Sequence, residues 1–103
     1  MQPELSKNEP GGRYEARIDG AVVGFVDFID LGDVISLPHT FVEPAFRGGQ
    51  IARDVVVFAL DDIRTQGRKV RPYCPYVAKL IARHRDAYGD LVPEAEWERF
   101  GLA

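Results

Sequence analysis

From residue 13 the chain alternates. Tyr14, Ala16 and Ile18 are apolar, while Arg13, Glu15, Arg17 and Asp19 between them are charged. A period of two belongs to a strand with one face buried. Asp19-Gly20 follows, a pair that tolerates the backbone of a tight hairpin. Ala21 to Ile29 is mostly apolar, as a central strand would be. Asp30 to Asp33 turns the chain again, and a third strand is predicted from about Val34 to Val42, ended by Pro44. The period then changes. Ala52, Val55, Val56, Ala59, Leu60 and Ile63 recur at helical spacing and are expected to face the sheet, with Val57 and Phe58 widening the apolar arc. The β-branched run Val55 to Val57 argues weakly for strand; the length, the periodicity and the stop at Gly67 favour helix. Residues 68–75 (RKVRPYCP) predict a short fourth strand, and residues 76–92 a second, shorter helix opening just after Pro75.

Residues 1–12, polar with two Pro and a Gly pair, are expected to be a flexible N-terminal arm, and residues 13–103 a single domain whose last segment is a partly helical cap or a loose end. The resulting order is β-β-β-α-β-α. It predicts an α+β fold with a mixed, mostly antiparallel sheet, in which the strand-helix-strand crossover returns parallel and right-handed.

Length and composition narrow the function. With 103 residues, 46% of them hydrophobic, the chain suffices for one small domain with its own core, and rules out a two-domain enzyme or a long dinucleotide-binding sheet. A net charge of −3 gives no basic excess of the kind a nucleic-acid binder carries. A single Cys forms no intrachain disulfide, which fits a reducing compartment. No apolar signal core and no membrane-length apolar run is present, so the expectation is a cytoplasmic protein without a membrane partner. No His, Cys, Asp or Glu cluster has metal-ligand spacing, and neither a Gly-x-Ser-x-Gly elbow nor a P-loop occurs.

The informative stretch is "HTFVEPAFRGGQIARDVVVFALDDI", His39 to Ile63. A strand, an Arg-Gly-Gly turn and a helix start together form an anion cradle. The first N–H groups of a helix lack internal partners, and the helix dipole adds partial positive charge there. Gly48 and Gly49 allow close backbone approach, and Arg47 and Arg53 add full charges. The plainer alternative is that Gly-Gly serves only as a turn.

This stretch resembles the acetyl-CoA-binding motif of the GNAT superfamily of N-acetyltransferases, Arg/Gln-x-x-Gly-x-Gly/Ala, with Arg47 in the first position and Ala52 in the last. More closely, "HTFVEPAFRGGQIA" and "KVRPYCPYVAKLIARHRDAYGDLV" are similar to the small "Yjdj-type" members of that superfamily, over about residues 13–92. The chain departs from the pattern at Gln50, where Gly is usual, and at Arg85, where Pro often follows the Arg-His pair. The resemblance implies a minimal GNAT-like (acyl-CoA N-acyltransferase) fold that lacks the usual early helices. It also implies acetyl-CoA held where the third and fourth strands splay apart. The pyrophosphate would rest on Gly48, Gly49, Gln50, Ile51 and Ala52, flanked by Arg47 and Arg53, and the pantetheine arm would pair with the backbone near Phe41 and Val42. No metal is implied. The implied activity is acetyl transfer to an amine, on a small molecule or a protein, by direct attack; the alternative is a non-catalytic acyl-CoA-binding or sensing protein of the same fold.

Acetyl transfer needs a neutral amine, and a lysine-type amine with a pKa near 10.4 must first lose a proton to a base or a water path. Backbone N–H groups beside the splayed strand are candidates for holding the developing oxyanion. Cys74 stands at a strand end before a helix N-terminus, where a thiolate is favoured; the resemblance places it near the acetyl sulfur. Nucleophile, acid for the leaving thiolate and inert wall are its three open roles, beside that of a small buried hydrophobe. His39 is either a hydrogen-bonded structural residue or a proton relay. Tyr76 is a candidate pocket contact from its helix start. Lys79 with Arg83, His84 and Arg85 either stands in solvent or reaches the coenzyme's 3′-phosphate. Arg64, Arg68, Lys69 and Arg71 read most simply as a solvated basic run, and Trp97 as a cap on either the core or the pocket.

Overall fold

In the computed structural model, which describes residues 2–103, the alternating segment is strand β2 (Arg13–Ile18), joined to β3 (Ala21–Asp27) by a hairpin. Asp19 and Gly20 take φ of 52° and 82° at its tip, so the Asp-Gly pair supplies the backbone freedom the turn demands. The chain continues through β4 (Ile29–Asp30), β5 (Val34–Ser36) and β6 (Thr40–Val42). Helix α1 (Ile51–Thr65) follows, then β7 (Lys69–Arg71), α2 (Pro75–Arg83) and the single turn α3 (Arg85–Tyr88). β5 and β7 pair in parallel on either side of α1, while every other strand pair is antiparallel. The α+β class and the mostly antiparallel mixed sheet are as expected.

Three expectations are corrected. The N-terminal arm is not loose: Glu4–Asn8 forms β1, an edge strand paired antiparallel with β2 along its whole length. Its lone apolar residue, Leu5, gives no period to read; pairing with β2 specifies it instead. The third strand is not continuous. Pro38, which has no N–H to donate, interrupts it, and β5 and β6 on its two sides belong to different hydrogen-bonded sheets. One has the order β1-β2-β3-β6, the other β4-β5-β7. The second helix is also broken: His84, at φ −126° and ψ 48°, separates α2 from α3.

Register sets two faces on the four-stranded sheet. Tyr14, Val26 and Thr40 share one row, and Ala16, Gly24 and Val42 the next. This is the face α1 covers. Tyr14 reaches α1 by donating its hydroxyl hydrogen to Asp62 Oδ2 at 2.7 Å, and its ring meets Phe58 edge-on. α1 buries Ile51, Val55, Val56, Ala59, Leu60 and Ile63; Ala52, expected among them, is only half-buried, and Ile51 takes its place. Gly24 explains the close seating of the first turn. A Cβ there would lie 2.8 Å from Ile51 Cγ2 and 3.2 Å from the Phe41 carbonyl oxygen, so any larger residue would lift the helix start off the sheet. The opposite face carries Glu15, Phe25 and Phe41 in one row. There Glu15 is buried under Arg13 and Arg17, with Asn8 donating a third bond, and the Asn8 hydrogen bond leads the causes that hold its carboxyl below the usual value.

Among the described residues no helix is long and apolar enough to cross a membrane. Trp97 caps the core: its indole N–H donates to the Val92 carbonyl, and its ring edge lies against Gly89.

Candidate functional site

The break at Pro38 opens the sheet. Up to Leu37 the two halves stay stitched, because Leu37 N–H donates to Arg71 O and Cys74 N–H to Leu37 O. Beyond that point β6 pairs with β3 alone. His39 O accepts from Asp27 N–H, and Glu43 N–H donates to Val23 O. Backbone groups along a strand alternate in direction, so residues 39, 41 and 43 point theirs at β3. Thr40 and Val42 therefore present theirs to the outer edge, where among the described residues no strand pairs with them. Arg47 occupies one of these groups, with its Nε–H donating to Val42 O at 2.9 Å. Of the two residues near which a pantetheine arm is expected to pair, Val42 turns its backbone groups to the open edge, as Thr40 does, and Phe41 turns its groups toward β3.

At one end of this edge lies the glycine turn. A single 3-10 turn, Pro44–Phe46, delivers the chain to Arg47. Gly48 adopts φ 85°, the left-handed region that favours glycine. Gln50 needs no such freedom. It sits at φ −106° as the N-cap of α1, its side chain makes no capping hydrogen bond, and its carbonyl accepts from Asp54 N–H. The residue that departs from the glycine pattern is thus unstrained. Space is open above the turn: a Cβ on Gly48 would meet nothing within 4 Å, and one on Gly49 only the Phe46 carbonyl oxygen at 3.5 Å. The first-turn N–H groups of α1 accordingly point outward without a side-chain cap, and the dipole of a 15-residue helix lies behind them. A cleft of about 590 Å³ runs beside this turn, between Ile18, Phe46, Arg47, Gly49 and Ile51. Ile51 gives the site only its backbone, since its side chain is core.

At the other end the splay closes on Cys74. It is 5% exposed and is the N-cap of α2, with Pro75 in the first turn. Its Sγ lies 3.3 Å from Thr40 Oγ1, within hydrogen-bond reach. Sequence reasoning passed over Thr40, although strand alternation beside His39 was the signal that could have found it. His39 itself is on the other face. It is exposed, in the row of Arg13 and Asp27, with its ring edge-on to Phe25 at 6.3 Å between centroids. The fold brings Cys74 to Thr40 and turns the His39 side chain to the opposite face of the sheet.

Tyr76, 40% exposed, stands on the first turn of α2 beside Arg53 of α1. Burial raises its hydroxyl pKa, while the nearby Arg53 and Arg83 pull it back. The basic run at the far end of α1 lies at the solvent-facing surface, as expected, and its charges are paired. Arg64 pairs with Asp90, Arg68 with Asp30 and Arg71 with Glu96, and Lys69 donates to the Asp90 carbonyl. Tyr73 is exposed and meets Phe100 edge-on, with Arg99 over its ring.

These features can be set against known proteins. The family model of the GCN5-related N-acetyl-transferases matches residues 13–91. Among solved structures, the ribosomal-protein-alanine N-acetyltransferase from Brucella melitensis biovar Abortus 2308 superposes with a TM-score of 0.55 at 24% identity. The match covers 69% of this chain and 58% of that one, so the chain spans little more than half of that enzyme's length. At this identity the likeness is one of fold. No curated protein matches the chain. The family match covers most of the sequence, including every element from β2 to the end of α3, and the open strand edge, glycine turn and uncapped helix fall within it: the chain belongs to the GCN5-related N-acetyltransferase family.

Proposed function

We propose that the protein is an N-acetyltransferase that moves an acetyl group from acetyl-CoA to an amine, as a small member of the Yjdj-type group. The observation that carries this reading is the succession of three features along one edge: the uncapped start of α1, the outward backbone of Thr40 and Val42, where Arg47 takes the Val42 carbonyl, and Cys74 at the closed end of the splay. Their order matches the order of groups along the donor, which runs from pyrophosphate through an amide-bearing arm to a thioester. The open space over Gly48 and Gly49 fits an anion on the backbone N–H groups. The unpaired strand edge fits a chain with two amides, in the manner of strand addition.

When bound, the donor supplies an activated acetyl group; an amine already neutral takes it, and the further proton lost from its nitrogen balances the one gained by the departing sulfur. The chain's own part is positional and acid-base. Thr40 and Val42 orient the arm through their backbone, and an outward N–H on this edge is placed to stabilise an oxyanion. The Thr40 hydroxyl and the Cys74 thiol form a hydrogen-bonded pair able to hold a proton at sulfur where the leaving thiolate appears. Direct transfer needs no acetylated cysteine.

His39, on the far face from Cys74, favours a second reading, a non-catalytic acyl-CoA binder, because the two titratable residues chosen from the sequence do not form a pair. Two measurements separate the readings. Acetyl-CoA at about 100 times its dissociation constant should stabilise the fold by roughly 2.7 kcal/mol, a melting rise on the order of 10 °C for a domain of this size. A panel of amines should then elicit amine-dependent release of the coenzyme thiol. Stabilisation without release selects the binder, and no stabilisation rejects both. Cys74→Ala should leave the melting shift intact and slow release by about tenfold or more; release at the wild-type rate would make Cys74 a packing residue.

A further inference from the structure

The four-stranded sheet has a second free edge, at the opposite end from β6. β1 closes the strand order β1-β2-β3-β6, so one side of Glu4–Asn8 carries backbone N–H and C=O groups that no strand among the described residues pairs. β1 runs alongside α1 in the same direction: Pro3 and Gln50 border one cleft, and Lys7 Nζ lies 3.4 Å from Asp62 Oδ2. Between strand and helix lies a groove of about 490 Å³, bordered by Leu5, Gln50, Asp54, Val57, Phe58 and Asp61. Leu5, Val57 and Phe58 are half-buried against the core, and the surface they leave uncovered gives the groove an apolar floor. Asp54 and Asp61 stand on one side of α1, about two turns or 10 Å apart along its axis. Among the described residues neither forms a salt bridge. Their neighbour Asp62, by contrast, is taken by Tyr14, Gln66 and Lys7. Arg53 borders the groove near the start of the helix, and the two carboxylates outnumber it.

We propose that the edge of β1 and this groove dock an extended basic segment of another protein, with a cation-x-apolar-x-cation pattern. A segment laid on the free edge adds a strand to the sheet, and its alternate side chains point toward the groove. Positions i and i+4 of a strand lie about 13 Å apart. Long cationic side chains at those positions reach Asp54 and Asp61, and the residue between them, at i+2, meets the apolar floor. A second copy of this chain is a poorer match, because its β1 offers Glu4 and a single cation, Lys7, which Asp62 already holds.

Amide NMR titration at low salt with the capped peptide Gly-Lys-Thr-Val-Thr-Lys-Gly tests this, beside a control peptide with Glu in place of both lysines. Saturable shifts are expected at the amides of β1 and of residues 54–61, and the control should bind about tenfold weaker or worse. An Asp54→Asn/Asp61→Asn variant should bind the lysine peptide about fivefold weaker. Asp61 is exposed and Asp54 half-buried, and the melting curve of the variant checks that it folds. Equal binding of the two peptides, undiminished binding by the variant, or no shifts at millimolar peptide would overturn the proposal. Shifts in β1 on concentrating the protein alone would give the edge to a second copy and overturn it too. None of these outcomes bears on the coenzyme reading, which concerns the other edge of the sheet.

Discussion

The two ends of α1 carry similar basic residues in opposite circumstances. Near its C-terminus Arg64, Arg68 and Arg71 each meet a carboxylate, and the hydrogen bonds they donate to those carboxylates hold all three guanidinium groups above their ordinary pKa. Around its N-terminus Arg53, Lys79 and Arg83 have no such partner among the described residues, and Arg47 spends its Nε–H on a backbone carbonyl. A net charge of −3 conceals this division. The C-terminal end is tied into the molecule: Asp62 receives Tyr14 and Gln66 and lies 3.4 Å from Lys7. The N-terminal end has open space above it and bare N–H groups. One helix is thus tied into the molecule at one end and left open and uncapped at the other, and pairing rather than charge count tells the two apart.

Substitutions at the two ends should separate affinity from stability. The largest effect on binding is expected at Gly49→Asp, which adds a negative charge and bulk where an anion must approach the helix start. Calorimetry should show coenzyme A affinity falling by at least about 100-fold, while the melting temperature of the free protein barely moves, because the position is exposed. Gln50→Gly at the neighbouring position should change affinity by less than about tenfold, since Gln50 already sits at an unstrained φ and its backbone N–H is kept.

At the anchoring end the order reverses. Tyr14→Phe removes a buried hydroxyl that donates to a carboxylate. Chemical denaturation should show a loss of about 1–2 kcal/mol, with coenzyme affinity unchanged. Tyr14 itself does not ionise in the working range, because burial first and the Asp62 contact second push its pKa far upward.

The smallest effect is a dependence on acid. For Asp62, burial opposes the charge, but the Tyr14 hydrogen bond and Lys7 more than offset it, and the net shift is downward. Glu15 is also lowered, chiefly by Asn8 and the two flanking arginines. A carboxyl with a depressed folded pKa contributes stability that is present above its ordinary value, 3.8 for Asp62 and 4.5 for Glu15, and is lost as pH falls through the folded value. Melting temperature should therefore hold at neutral pH and drop below about pH 4.5. Glu15→Gln should flatten that acid limb; an unchanged limb would mean that the Arg13-Glu15-Arg17 cluster contributes nothing to it.

What could be read from the sequence follows the range of each interaction. The Asp19-Gly20 hairpin and the helix over 51–65 rest on local chemistry and periodicity, and both are where the pattern puts them. β1 rests on pairing with β2, which a sequence without alternation does not announce. Pro38 was visible as a residue that cannot donate, yet the apolar run on both sides masked it, and with it the break that opens the site. At the candidate site, the glycine turn before α1 and Cys74 before α2 stand in the fold where motif and position put them. The Thr40–Cys74 contact spans 34 residues, and the separation of His39 from it is a matter of sheet face. Gln50 looked like a defect in the cradle because the pattern has Gly there; the positive φ belongs to Gly48.

The claim that one end of α1 and the free edge of β6 form the coenzyme site is tested most directly by amide NMR during titration with acetyl-CoA. The account predicts saturable shifts at Thr40, Val42 and residues 48–53, with the amides of Arg64, Arg68 and Arg71 unmoved. Shifts confined to other parts of the molecule, or none at millimolar acetyl-CoA, would contradict it.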